Sequence, residues 1–339
     1  MLKQFWSWLT TTRWWRFLRR HLSTIIKVFI TVAGLAYVLY TIPADEIRKG
    51  LHIESWAWVF VAFVLVVLGM FVRAFRWRIL LRGLNAQVPY HRLVEIYFAG
   101  TFFNTFLPSG FGGDAVRIIE VAKDVPTNVA AGTVIVDRLT GIMALLLLAL
   151  LAMPFRPPDF PDKLALMVAA ISLIGLMGGF ILLEGSLISR LGGWLPAKLS
   201  TEGDGPVAKL MQAVQGCGWK AIAGAFGVSM VFNVLLISWW VAAAKALGED
   251  VSYRYMTLVV PIMSLALLVP SISGIGVRES IAGPLFAAAG LAGSTAVVLS
   301  LLVRVITIAV SLLGAPIYLL STIRDSRQPG SESHAQDSG

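Results

Sequence analysis

Charge, cysteine and histidine are all scarce in this sequence. Only 14% of its 339 residues are charged against 57% hydrophobic, and the mean hydropathy is +0.77, far from the balance of a soluble globular chain. The one cysteine, Cys217, excludes an internal disulfide and, with no second soft ligand nearby, argues against a structural zinc site. The four histidines, His21, His52, His91 and His334, lie far apart and outside the apolar runs, so neither a metal cluster nor any other cofactor is expected. No GxxxxGK[ST] run is present, which leaves no Walker-type nucleotide site.

What the sequence does have is long apolar runs. Stretches of the roughly 20 residues that cross a bilayer occur near 24–41, 56–72, 127–153, 164–183, 219–244 and 295–320. Two more apolar regions, 93–124 and 255–290, are each broken centrally by a Pro-Ser-Gly cluster, and their halves are too short to cross alone. The expected fold is an all-α polytopic membrane protein with about six full spans and two re-entrant broken hairpins.

The net charge of +9 is read by position, because Lys and Arg mark the cytoplasmic flanks of membrane helices; nucleic acid is not implied. Lys3, Arg13, Arg16, Arg19 and Arg20 precede the first span, and Arg73, Arg76, Arg78, Arg82 and Arg92 follow the second. Both ends are therefore expected inside. Continuing span by span puts both termini in the cytoplasm, as befits a multi-pass protein of the cell (inner) membrane. Residues 1–22 mix Trp and Phe with Arg and suit a helix lying on an anionic leaflet; a cleavable signal peptide is not expected. Residues 323–339 are polar and expected to be disordered.

The two broken hairpins share a pattern. FLPSGFGGDAVR gives Pro108, Ser109, Gly112, Gly113 and Arg117, and VPSISGIGVRES gives Pro270, Ser271, Gly274, Gly276 and Arg278. Each is followed by a span with an arginine deep in its apolar run, Arg138 in TVIVDRLTGI and Arg304 in LSLLVRVITI. With the topology above, residues 23–153 and 154–322 form an inverted repeat, the arrangement in which substrate sites form where broken helices meet near the midplane. Irregular backbone at membrane depth survives only against protein or a water-filled cavity. The serines and glycines of both turns are thus expected to line one, with the glycines letting backbone N–H groups and a helix N-terminus approach an anion.

Arg138 and Arg304 are the strongest single signals, since an arginine at a helix centre costs about 2.5–3.5 kcal/mol on insertion scales and has to face a partner or water. Asp137 adjoins Arg138, but consecutive residues point about 100° apart on a helix and cannot both serve one direct pair. Arg117 and Arg278 are placed to clamp a phosphate, or to pair with Glu120 and Glu279. Asp114 can act as a helix N-cap, or with Asp137 and Glu279 as an ion-coupling acid. Arg73, Arg76 and Arg78 read as cytoplasmic anchors, and Asn104 and Asn233 as hydrogen-bonding residues between helices.

On FNTFLPSGFGGDAVRI, the TVIVDRLTGI after it and GIGVRES at 274–280, the chain resembles the flippase-like membrane family typified by the transmembrane region of lysylphosphatidylglycerol synthases. The resemblance extends over roughly 25–322. It implies an inner-membrane protein that moves phospholipid or another lipid-linked anion between leaflets. Relatives that make the lysyl lipid carry a soluble aminoacyltransferase domain after the membrane part; here only a short polar segment follows Arg324, so no synthase activity is expected.

These features favour a lipid translocase over a secondary transporter of a soluble organic anion, and a sideways opening toward lipid is what separates the two. A membrane-embedded transferase lacks a nucleophile constellation, and a non-catalytic subunit leaves two intramembrane arginines unexplained. The expected partners are membrane lipids with anionic headgroups, with a homo-oligomer or a separate lipid-modifying enzyme as further possibilities.

Overall fold

The computed structural model describes residues 52–106, 112–184, 206–266, 276–287 and 289–326, with isolated positions 36, 40 and 45. The expected interfacial segment 1–22, the span 24–41, the turn residues Ser109, Ser271 and Gly274, and positions 327–339 of the expected tail lie outside them.

The described elements are all helical. They are α1 (Trp56–Gly83), α2 (Tyr90–Phe106), α3 (Gly112–Val121) and α4 (Thr127–Ala152), then α5 (Asp162–Glu184), α6 (Pro206–Gly216) and α7 (Gly218–Ala246). They continue with α8 (Tyr253–Leu265), α9 (Val277–Ala287), α10 (Gly293–Leu312) and α11 (Gly314–Ser326). Five of the segments are long and apolar enough to cross a membrane: Trp56–Gly83, Thr127–Phe155, Asp162–Glu184, Gly218–Ala246 and Gly293–Leu320. This is a multi-pass membrane protein.

Burial is distributed as a bilayer solvent requires. Phe60, Leu68, Phe71 and Phe75 on α1, and Leu166, Ile174, Met177 and Phe180 on α5, are exposed, because hydrocarbon outside the bundle is as hospitable to them as the interior is. Inside, small residues bring helices close, as in the buried run Ala242, Ala243, Ala244 and Ala246 of α7. The most extensive helix pair is α1 with α7. Around it α1 packs on α2 and α4, and α7 on α8 and α10; α3 packs on α4, and α9 on α10. Further contacts join α4 to α7 and α8, and α10 to α1 and α2.

Both broken hairpins consist of short helices, α2 and α3 of 17 and 10 residues and α8 and α9 of 13 and 11. Within the first, α2 and α3 cross in close contact at Gly100 and Gly113: a Cβ at Gly113 would collide with the Gly100 carbonyl oxygen and with Asn104. Gly113 thus lies at the contact between the two helices.

Two expected bounds are corrected, the end of the second span and the start of the tail. The span expected to end near 72 continues as helix to Gly83, so Arg73, Arg76, Arg78 and Arg82 are helical residues rather than a flank beyond the helix. It stops where Asn85 takes a positive φ of 57°, a conformation that asparagine tolerates better than most residues. Between the expected spans 164–183 and 219–244 lies the short helix α6, which packs on α4. The last span, expected at 295–320, is the segment Gly293–Leu320; a turn at Leu313 divides it into α10 and α11, and α11 packs on α2, with Phe103 edge-on to Tyr318 at 5.3 Å. Positions 323–326, expected as disordered tail, close this helix.

Candidate functional site

Four helices meet at one carboxylate. Asp137, on α4 and 1% exposed, accepts a hydrogen bond from Arg76 Nε of α1 at 2.7 Å on one oxygen. On the other it accepts from Arg117 Nη2 of α3 and from the Tyr97 hydroxyl of α2, both at 2.8 Å. Arg76 also donates to Ser229 Oγ of α7 at 3.1 Å, and the α4 backbone leaves room for it at Gly141, where a Cβ would lie 2.6 Å from Arg76 Nη1. The Arg117 guanidinium lies between two rings, 4.3 Å from the Trp77 centroid and 4.0 Å from that of Tyr97. Trp77 Nε1 donates to Thr133 Oγ1 on α4 at 3.1 Å.

Buried ions are tolerable only when paired and well hydrogen-bonded, and Asp137 meets both conditions. Arg76, expected as a cytoplasmic anchor, is 4% exposed and belongs to this network, a correction that follows from the helical continuation of α1. Arg117 pairs with Asp137 and, at 3.4 Å, with Asp114. The alternative pairing with Glu120 does not form, because Glu120 lies farther along α3 with Arg92 and Lys123.

The arginines singled out in the sequence each meet an acid from the neighbouring hairpin. Arg138 pairs with Asp114 at 2.8 Å, and Arg304 Nε donates to Glu279 Oε1 at 3.1 Å. As their adjacency in a helix requires, Asp137 and Arg138 turn to different partners. Asp114 and Glu279 are each the third residue of the returning hairpin helix, and Arg138 and Arg304 are each the twelfth residue of the next helix. Twelve residues carry each arginine about 17 Å along its axis at 1.5 Å per residue. Asp114 is thus an ion-pairing residue inside α3 and not its N-cap.

At the second hairpin, Gly276 takes a φ of 82°, open to glycine at no steric cost, and its N–H donates to Glu279 Oε2 at 2.8 Å. Glu279 turns to Arg304 and not to its neighbour Arg278. Arg278, 8% exposed, lies over Trp240 of α7 with its guanidinium carbon 5.0 Å from the ring centroid.

Among the described residues the buried charges are Arg76, Arg117 and Arg278 with Glu120, Asp137 and Glu279. The less buried Arg138 and Arg304 pair with Asp114 and Glu279. The buried Nε atoms of Arg73, Arg78, Arg117 and Arg278 have no hydrogen-bond acceptor among the described residues. Among the described residues no group of three His, Cys, Asp or Glu side chains is placed to hold a metal ion. Cys217, between α6 and α7, is buried against α6, donating to the Ala213 carbonyl at 3.4 Å, and burial pushes its thiol up to about 11.

Sequence reasoning missed Arg76, Tyr97 and Arg73. Arg76 follows Arg73 at the i, i+3 spacing that aligns side chains on one helix face. Asn233, expected to bond between helices, donates to the Gly141 carbonyl of α4 at 3.5 Å.

A polytopic helical membrane protein with broken hairpins and ion pairs buried among its helices is the class that fold and site define. The chain belongs to the family described as the lysylphosphatidylglycerol synthase TM region, which it matches over residues 24–314. It is similar to UPF0104 membrane protein PH1989 of Pyrococcus horikoshii, at 24% identity over 314 residues covering 84% of this chain and 90% of the relative. It is also similar to UPF0104 membrane protein MJ1595 of Methanocaldococcus jannaschii, at 29% identity over 119 residues, 34% of this chain and 35% of that one.

Proposed function

We propose that this protein moves an anionic phospholipid or lipid-linked phosphate between the leaflets of the cell membrane. The observation that carries this reading is the gathering of arginines among the helices, with the Nε donors of Arg73, Arg78, Arg117 and Arg278 buried and without an acceptor among the described residues. Buried polar groups without partners are rare, and a phosphate supplies both negative charge and several acceptors. Arg278 is its first contact in this reading, with no carboxylate of its own. Arg138, Arg304 and Arg117 exchange their acids for the ligand, and Ser109, Gly112, Ser271, Gly274 and Gly276 border its path. Asp114, Asp137 and Glu279 are the acids that release or carry a proton.

The reading includes six spans, two re-entrant hairpins in an inverted repeat, and both termini in the cytoplasm. The helix contacts support the repeat. Exchanging α1, α2, α3 and α4 for α7, α8, α9 and α10 maps each named contact within and between these groups onto another. The matched positions of the Asp114–Arg138 and Glu279–Arg304 pairs obey the same exchange. Membership of a family described as the transmembrane region of a lipid synthase supports a lipid cargo. In this proposal the chain has no aminoacyltransferase activity, uses no cofactor, and works alone, as a homo-oligomer or beside a separate lipid-modifying enzyme.

The test is leaflet exchange of headgroup-varied fluorescent phospholipids in proteoliposomes. The expected outcome is exchange that prefers anionic headgroups and falls at least about tenfold, the loss of one charge-assisted contact, in Arg278→Ala and in Arg304→Ala at matched folding. Absence of exchange for every lipid with the intact protein overturns the reading and makes soluble organic anions the next cargo to assay.

A further inference from the structure

The junction of α1, α2 and α7 carries two features that the central ion pairs do not use. The first is a groove of about 380 Å³, lined by Phe71, Val72 and Phe75 of α1, Tyr90 of α2, and Val228 and Val231 of α7, and open on its outer side. Its walls are almost wholly apolar. The neighbouring outward side chains, Leu68 and Val234, are exposed hydrophobics, so the medium it opens to is hydrocarbon.

The second is Arg73. It leaves α1 one residue after Val72 and lies over the Tyr97 ring of α2 at 5.2 Å and the Phe232 ring of α7 at 5.0 Å, where Phe232 follows Val231 in the chain. Its Nη2 meets the Met70 sulfur at 2.8 Å, and its buried Nε has no acceptor among the described residues. A thioether and two ring faces leave a guanidinium's full charge in place. Arg76, the next arginine on that helix, has Asp137; Arg73 has no carboxylate at ion-pair distance among the described residues. A permanently charged side chain at this depth needs a counter-charge.

We propose that this junction docks one anionic phospholipid, with its phosphate against Arg73 and an acyl chain in the groove. The proposal rests on the lipid reading above and narrows it to sideways access from the leaflet at the Gly83 end of α1. Charge complementarity selects the head, and the apolar walls select a chain. A soluble anion would have no use for the groove, and a neutral lipid none for Arg73.

The full-length protein is extracted from vesicles of equal phosphatidylglycerol and phosphatidylcholine, and the retained lipids are weighed by native mass spectrometry. Preferential retention of phosphatidylglycerol is expected. Arg73→Gln should lower that preference about tenfold, one charge-assisted contact's worth, while Arg73→Lys keeps most of it. Val228→Trp, a surface change that fills the groove, should reduce retention of both lipids, and glycerol 3-phosphate should not displace the bound lipid. Helicity and thermal midpoint are checked for each variant. An unchanged preference in folded Arg73→Gln, unchanged retention in Val228→Trp, or displacement by glycerol 3-phosphate overturns the proposal. Leaflet exchange without Arg73-dependent retention would overturn this site and leave the translocase reading standing. Arg73-dependent retention without exchange would do the reverse.

Discussion

Around the first hairpin, Asp137 gathers donors from α1, α2 and α3, whereas around the second Glu279 gathers one side chain and one backbone N–H. The frames are alike, with the acid third in its helix and the arginine twelfth in the next. The residue before that arginine differs, Asp137 in α4 but Val303 in α10. The hairpin arginines differ as well: Arg117, sixth in α3, reaches Asp137, whereas Arg278, second in α9, lies over the Trp240 ring. The difference teaches that an acid–arginine pair ties each pair of short helices to the helix that follows, while the Asp137 network lies beside the first pair.

Removing that network should have the largest effect. Asp137→Ala leaves Arg76 and Arg117 buried without their carboxylate, and loss of one partner of a buried pair costs about 3–5 kcal/mol; unfolding of the detergent-solubilised protein should shift accordingly. Glu279→Ala removes one buried partner of Arg304 and the acceptor of the Gly276 N–H, an expected loss of about 1–3 kcal/mol for groups left unsatisfied, read in the same assay. Asp114→Ala should cost least, below the about 3–5 kcal/mol of a fully buried pair, because Asp114 and Arg138 are 21% and 33% exposed and Arg117 keeps Asp137. If Glu279→Ala proved as damaging as Asp137→Ala, the proposed contrast between the halves would fail. If Asp114→Ala matched either, the Asp114–Arg138 pair would be as sheltered from water as the others.

The spans were legible because apolar length is a local property. The runs near 127–153, 164–183 and 219–244 match α4 with its terminal turn, α5 and α7 to within a few residues. α6 was not, since the short Pro206–Gly216 segment has no run of that length. Arg76 was misread because a basic cluster after an apolar run looks the same whether the helix stops there or continues; only Gly83 and Asn85, farther on, mark the stop. The divergence of Asp137 and Arg138 followed from helix geometry alone. Their partners did not, because Asp114, Arg76, Arg117 and Tyr97 reach them through tertiary packing that no spacing encodes.

The Asp137 network also bears on how the chain is made. Two adjacent charges near the middle of α4 oppose its insertion, an Asp or Arg at a helix centre costing about 2.5–3.5 kcal/mol each. The groups that neutralise Asp137, on α1, α2 and α3, all precede α4 in the chain, as does Asp114 for Arg138. Synthesis from the N-terminus thus delivers the counter-ions before the charges that need them, and α4 meets its partners as it leaves the insertion machinery. Placed alone behind an unrelated leader, α4 should insert less completely than behind its own α1 to α3, a difference that glycosylation-site reporters would measure.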